Sequence, residues 1–172
     1  MRADAERNRA KVIATAMEAF AADGLTVSVA EIARRAGVGT GTVSRHFPTK
    51  ESLYAAIVLA KVSEIVGEAR TMASLPPGEA FTAYLAYMVE QAAANRGLAE
   101  VLAGGGFDIE SAVDDTNQGL AEIEQELLSR AQEAGAIRPD VTPTEVKALI
   151  NACVSVPHHA RMIAIVTAGL RP

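Results

Sequence analysis

An all-α fold follows from three observations on the sequence. Aromatic residues make up only 4% of the chain, and no alternating run of β-branched residues reaches strand length, so strands lack their raw material. Apolar side chains recur instead at spacings of three and four, as one face of a helix requires. Glycine and proline punctuate the chain at intervals that suit helices of ordinary length, about nine in all. A hydrophobic fraction of 49% against 22% charged residues places the 172 residues among ordered globular proteins.

Each element can be justified in turn. Val12, Ile13, Ala16 and Phe20 define a first helix from Ala3 to Ala22, which Asp23-Gly24 stops. Ser28 and Glu31 have capping-box spacing, hydroxyl and carboxylate each serving a backbone N–H, and open a short helix to Ala36. Gly37-Val38-Gly39 breaks it, and a second short helix runs from Thr40 to Phe47, ahead of Pro48. Thr49 caps a long helix from Lys50 to Ala73, terminated by Pro76-Pro77. Gly78 to Asn95 comes next, with Phe81, Tyr84, Leu85 and Met88 on one stripe; a shorter helix follows through Leu102, then a Gly104-Gly105-Gly106 loop. Ser111 to Ala134 resumes the period through Leu120, Ile123 and Leu127 and ends at Gly135. Thr142-Pro143-Thr144-Glu145 combines a hydroxyl cap, a first-turn proline and a capping glutamate. Pro157 ends or kinks that helix, and His158 to Gly169 makes the last.

The net charge of −5 hides an asymmetry. Residues 1–50 hold eight Lys/Arg against five Asp/Glu, whereas the remainder holds eight against sixteen. A basic beginning and an acidic remainder suit a chain whose first part faces phosphate. The acidic stretch from Asp108 to Glu126 reads as a solvated face. The lone Cys153 forms no intrachain disulfide and the N-terminus has no leader pattern, so a cytoplasmic location is expected. The most apolar segment, 148–170, is interrupted by Asn151, His158, His159 and Arg161, so no membrane span is expected. His158 and His159 point about 100° apart on a helix and lack a third ligand, and no metal or cofactor is expected.

The chemistry concentrates in residues 26–50. Two short helices that cross closely need a small residue at the contact and a permissive one at the turn, which Ala33 and Gly37 supply. Val43 then faces the core, while Thr40, Thr42, Ser44, Arg45 and His46 face outward. Hydroxyls reach base edges or phosphates, and arginine binds guanine bidentately. Arg34 and Arg35 suit a solvated face as well as they suit phosphate contact.

Read together, Val12-Ile-Ala-Thr-Ala-Met-Glu-Ala-Phe20, Gly24, Val29-Ala-Glu-Ile-Ala-Arg-Arg-Ala-Gly-Val38, Gly41-Thr-Val-Ser-Arg-His-Phe-Pro-Thr-Lys50 and Glu51-Ser-Leu53 resemble the N-terminal domain of the TetR family of regulators. The resemblance spans roughly residues 9–60. It implies a helix-turn-helix domain over 1–50, continuing into the start of the next helix, and a helical ligand-binding and dimerisation domain over 51–172. It implies a homodimer that binds duplex DNA, with Thr26, Ser28 and Lys50 at phosphates, Thr40, Gly41, Thr42, Ser44, Arg45 and His46 in the major groove, and Gly39 among the DNA-binding residues. Family members commonly carry tyrosine at the place of Ser44 and often lysine near Thr40, so phosphate affinity is lower here, or Arg7 and Arg9 compensate.

The expected function is a sequence-specific transcriptional regulator, a ligand-responsive repressor on a pseudo-palindromic operator. The alternative is a helical adaptor or activator of the same fold with weakened DNA recognition. A small apolar or amphipathic inducer is the expected ligand. Tyr84, Tyr87, Met88, Gln91 and Phe107 are candidates to line its pocket, although such a stripe is more often plain core. Leu149, Ala152, Val156, Met162, Ile163 and Val166 lie on helices with more apolar surface than one chain buries, and they are the candidate dimer contacts. No nucleophile elbow, phosphate loop or zinc helix points to an enzyme.

Overall fold

The computed structural model describes residues 2–104, 114–156 and 158–172; Phe107, the second and third glycines of the 104–106 run, Ser111 and Pro157 lie outside the described residues. Among those described there are eight α-helices and no strand: α1 (Arg2–Asp23), α2 (Val29–Ala36), α3 (Thr40–His46), α4 (Lys50–Met72), α5 (Pro77–Gly104), α6 (Asp114–Glu133), α7 (Pro143–Val154) and α8 (His159–Gly169). A 3-10 turn, Gly24–Thr26, links α1 to α2. None of these helices is long and apolar enough to cross a membrane.

The described residues fall into two compact units, one drawn from 1–62 and 96–114, the other from 63–95 and 115–172. In the first, Val12, Ala16 and Phe20 of α1 meet Ile32 and Ala33 of α2, Val43 of α3, and Leu53 and Ile57 of α4. Removing each of the larger side chains from water stabilises the unit by about 1.5–3 kcal/mol. The Phe20 and Tyr54 rings meet edge to face, 5.3 Å between centroids, a contact worth about 0.5–1.5 kcal/mol more. Leu98 of α5 packs against the same cluster.

Local chemistry sets the turns of this unit. Gly37 closes α2 at φ +64°, where a side chain is strained, and its N–H reaches back to the Arg34 carbonyl. Ser28 caps α2 through the Glu31 N–H at 3.1 Å, but the Glu31 carboxylate does not complete the anticipated box, because it turns forward to Arg34 and Arg35. At α4 the box is built from hydroxyls: Thr49 Oγ1 accepts from the Ser52 N–H at 3.1 Å and Ser52 Oγ accepts from the Thr49 N–H at 3.2 Å.

The second unit packs Phe81, Tyr84, Leu85 and Val89 of α5 against Ile123, Leu127 and Leu128 of α6, and against Val146, Ile150 and Cys153 of α7. Cys153 is fully buried, and that burial pushes its thiol above the usual range. Thr142 and Glu145 form a complete capping box with Pro143 in the first turn. Gln132 Nε2 donates to the carbonyls of Arg138 and Val141, fixing the α6–α7 connection. Where that connection passes α5, a Cβ on Gly78 would lie 2.8 Å from the Ala136 Cβ, so only glycine permits the approach.

The sequence breaks α5 near Asn95, but the helix runs unbroken for 28 residues. Gly97 costs about 1 kcal/mol in a helix interior and does not terminate one. Asn95 supports the continuation by donating from Nδ2 to the Gln91 carbonyl at 2.7 Å.

Candidate nucleic-acid interface

The candidate DNA-contacting residues all come from the first unit, on the turn before α2, on α3 and at the start of α4. Val43 is wholly buried, which anchors α3 by one side. The opposite side, with Thr40, Gly41, Ser44 and Arg45, is exposed, and Thr42 and His46 are half-buried beside it. Gly39 provides the N-cap position without a side chain, so nothing of its own covers the first turn of α3. Thr26 and Ser28 are exposed, whereas Lys50 is half-buried. Thr26 Oγ1 donates to the Asp23 carbonyl at 3.2 Å, and the Ser28 hydroxyl is engaged as a cap. Phe47 closes the far end of α3 in the core, with the His46 ring 6.1 Å from its own.

Charge on this face is unevenly available. Arg34 binds Glu31 through two nitrogens at 2.7 and 2.8 Å, and Arg35 pairs with both Glu31 and Asp23 at 2.7 Å. The Arg34 hydrogen bonds, then those from Arg35, hold the Glu31 carboxyl down at about 2. Arg45 carries no such partner among the described residues. Arg7 pairs with Asp4 within α1, but Arg9 reaches α3: its guanidinium lies over the Phe47 ring, 5.5 Å from the centroid. Of the two arginines expected to compensate for the missing lysine, only Arg9 is brought to α3.

The other candidate groups lie in the second unit. Tyr84 is fully buried and its hydroxyl donates to Glu124 Oε2 at 3.0 Å. The Tyr87 hydroxyl is buried with no hydrogen-bond partner among the described residues. Met88 lines a cavity of about 390 Å³ together with Ala92, Leu120, Ala121, Glu124, Lys147, Ile150 and Asn151. Tyr84, Tyr87 and Gln91 are not among its lining residues, and Phe107 lies outside the described residues.

Glu124, only 3% exposed, was hidden by the acidic stretch around it, although its spacing of four from both Leu120 and Leu128 places it on the apolar stripe. Among the dimer candidates Ala152 is exposed, and Leu149, Val156, Met162, Ile163 and Val166 are half-buried. Ile165 beside them is 56% exposed.

Comparisons with known proteins agree with this architecture. Residues 12–57 match the family described as bacterial regulatory proteins, tetR family, and residues 76–172 match the C-terminal domain of SbtR-like transcriptional regulators. None of the curated proteins matches the chain. A TetR transcription regulatory protein from Mycobacterium vanbaalenii is 45% identical over 99% of both chains, with a TM-score of 0.83. A TetR transcriptional regulator from Streptomyces coelicolor is 32% identical over 95% of this chain and 98% of its own, with a TM-score of 0.74. FadR from Bacillus subtilis, solved in complex with stearoyl-CoA, shares the fold at 17% identity and a TM-score of 0.73, over 93% of this chain and 96% of its own. With both parts of the chain matched and close likeness over nearly its whole length, this protein belongs to the TetR family of transcriptional regulators.

Proposed function

We propose that the chain is a ligand-released repressor that acts as a homodimer on a pseudo-palindromic operator. The observation that carries this reading is the two-sidedness of α3, with Val43 inside and Thr40, Ser44 and Arg45 outside. Residues 1–50 and the start of α4 serve as the DNA-binding part, and 51–172 as the ligand and dimerisation part. Arg45 and the hydroxyls of α3 read base edges, while Thr26, Ser28 and Lys50 hold phosphates on either side. Dimerisation is assigned to α7 and α8, where Ala148, Ala152 and Ile165 leave apolar surface in water.

Release is a population shift: a ligand that prefers a conformation with mis-spaced recognition helices weakens DNA binding by its differential affinity. The lever is α4, which opens beside α3 and continues unbroken to Met72. The rival, an adaptor or activator of the same fold, draws on the pairing of Arg34 and Arg35, which leaves few free charges for DNA.

Selection of bound sequences from a random duplex pool tests the reading. The expected product is a two-fold symmetric motif, bound far above background, with affinity falling steeply as salt rises. Recovery of no motif supports the adaptor and overturns the regulator.

A further inference from the structure

The cavity between α5, α6 and α7 has a base whose chemistry the sequence did not announce. Its walls are Met88, Ala92, Leu120 and Ile150, and its exposed edge includes Lys147 and Asn151. Into this apolar space comes the carboxylate of Glu124. Oε2 accepts from the Tyr84 hydroxyl, but Oε1 has no donor among the described residues. Lys147 acts on the carboxylate through space and forms no ion pair with it. Oε1 is not among the fully enclosed polar atoms, so it meets solvent in the cavity, where a donor from a ligand can replace water.

We propose that this cavity binds an amphipathic amine, its ammonium group against Glu124 Oε1 and its hydrocarbon body along Met88, Ala92, Leu120 and Ile150. The proposal rests on the ligand-released reading above and names the class of ligand. An ammonium donor completes the hydrogen bonding of the carboxylate and neutralises its charge, which a hydroxyl does only in part. A fatty carboxylate would set two anions together in an apolar space. A cavity of this size between helices of a bundle, with mostly apolar walls, Glu124 inside and Lys147 and Asn151 at its edge, is ordinary for a small-molecule site.

Octylamine, octanol and octanoate share one tail and differ in headgroup charge, so they isolate the anchor. Calorimetric titration of the full chain at pH 8 is expected to show octylamine binding at least about tenfold more tightly than octanol, and octanoate more weakly than either. E124Q keeps an acceptor for Tyr84 and removes the charge. It is expected to cut octylamine affinity about tenfold or more and leave octanol within about twofold. Octanoate binding best, E124Q binding octylamine like the parent chain, or no octylamine uptake below about 1 mM would each overturn the assignment.

Operator binding measured on the same samples separates the two readings. Octylamine bound at Glu124 without any loss of DNA affinity defeats ligand release and leaves the cavity assignment standing. Intact DNA binding with no octylamine uptake defeats the cavity assignment alone.

Discussion

Glu31 takes up two arginines at once, and this decides which cations of the first unit remain for a phosphate. Exposed pairs of this kind add little to the fold, so their main effect is on availability. On the proposed reading, R45A weakens operator binding by about tenfold or more if Arg45 meets a guanine, or lowers the salt slope by about one if it meets a phosphate. R34A costs less than about threefold. Fluorescence anisotropy over a salt series distinguishes these outcomes, and equal losses from the two variants would refute the difference in availability. Glu124 yields a pH prediction. Burial raises its carboxyl above the usual carboxylate range, against the opposing pulls of Tyr84 and Lys147. A raised acid favours the fold while protonated, so that contribution is full below the unfolded value and fades as pH climbs through the folded one. E124Q is therefore expected to melt above the parent chain at pH 8 and beside it at pH 4. The Ser28 cap was legible because its geometry is local; Glu31 was misjudged because Arg34 and Arg35, one turn ahead, compete for the same carboxylate.

Among the helices, α7 has the most fully specified start, with hydroxyl, proline and glutamate all in place. T142A removes the acceptor for the Glu145 N–H and is expected to lower stability by about 0.5–2 kcal/mol, read from denaturant midpoints at constant slope. The turn from α2 to α3 has a cost of another kind. A Cβ at Gly37 would meet only the Lys11 ammonium, 3.6 Å away, so G37A fits sterically and loses about 1 kcal/mol or more through its left-handed backbone alone. G37N is expected to lose less, since asparagine tolerates that region. Starts and stops were readable wherever a cap or a proline marks them, as at Ser28, Thr49 and Thr142. The continuity of α5 through Gly97 was not, because a lone glycine weakens a helix without saying whether neighbouring packing outweighs it.

The described residues hold two cores, and part of the apolar surface left over lies on α7 and α8, with Ile165 the most exposed large apolar side chain. If that surface pairs two subunits, the protein sediments at twice its 18.0 kDa chain mass, and I165E, placing a charge where Ile165 is 56% exposed, shifts it toward monomer. Operator affinity should fall with dimerisation, since a monomer spans one half-site. An undisturbed dimer would move the interface elsewhere. Helical composition and the 26–50 motif made the fold legible, because both depend on local spacing. The Tyr84–Glu124 contact joins residues forty positions apart, and no local pattern encodes that meeting. The single cysteine, finally, turns the second core into its own stopwatch. With Cys153 sealed and its thiol hard to ionise, a thiol reagent can react only during moments when the bundle breathes, so labelling kinetics count those moments directly. Any cargo that holds the bundle shut should slow the clock in proportion to its occupancy.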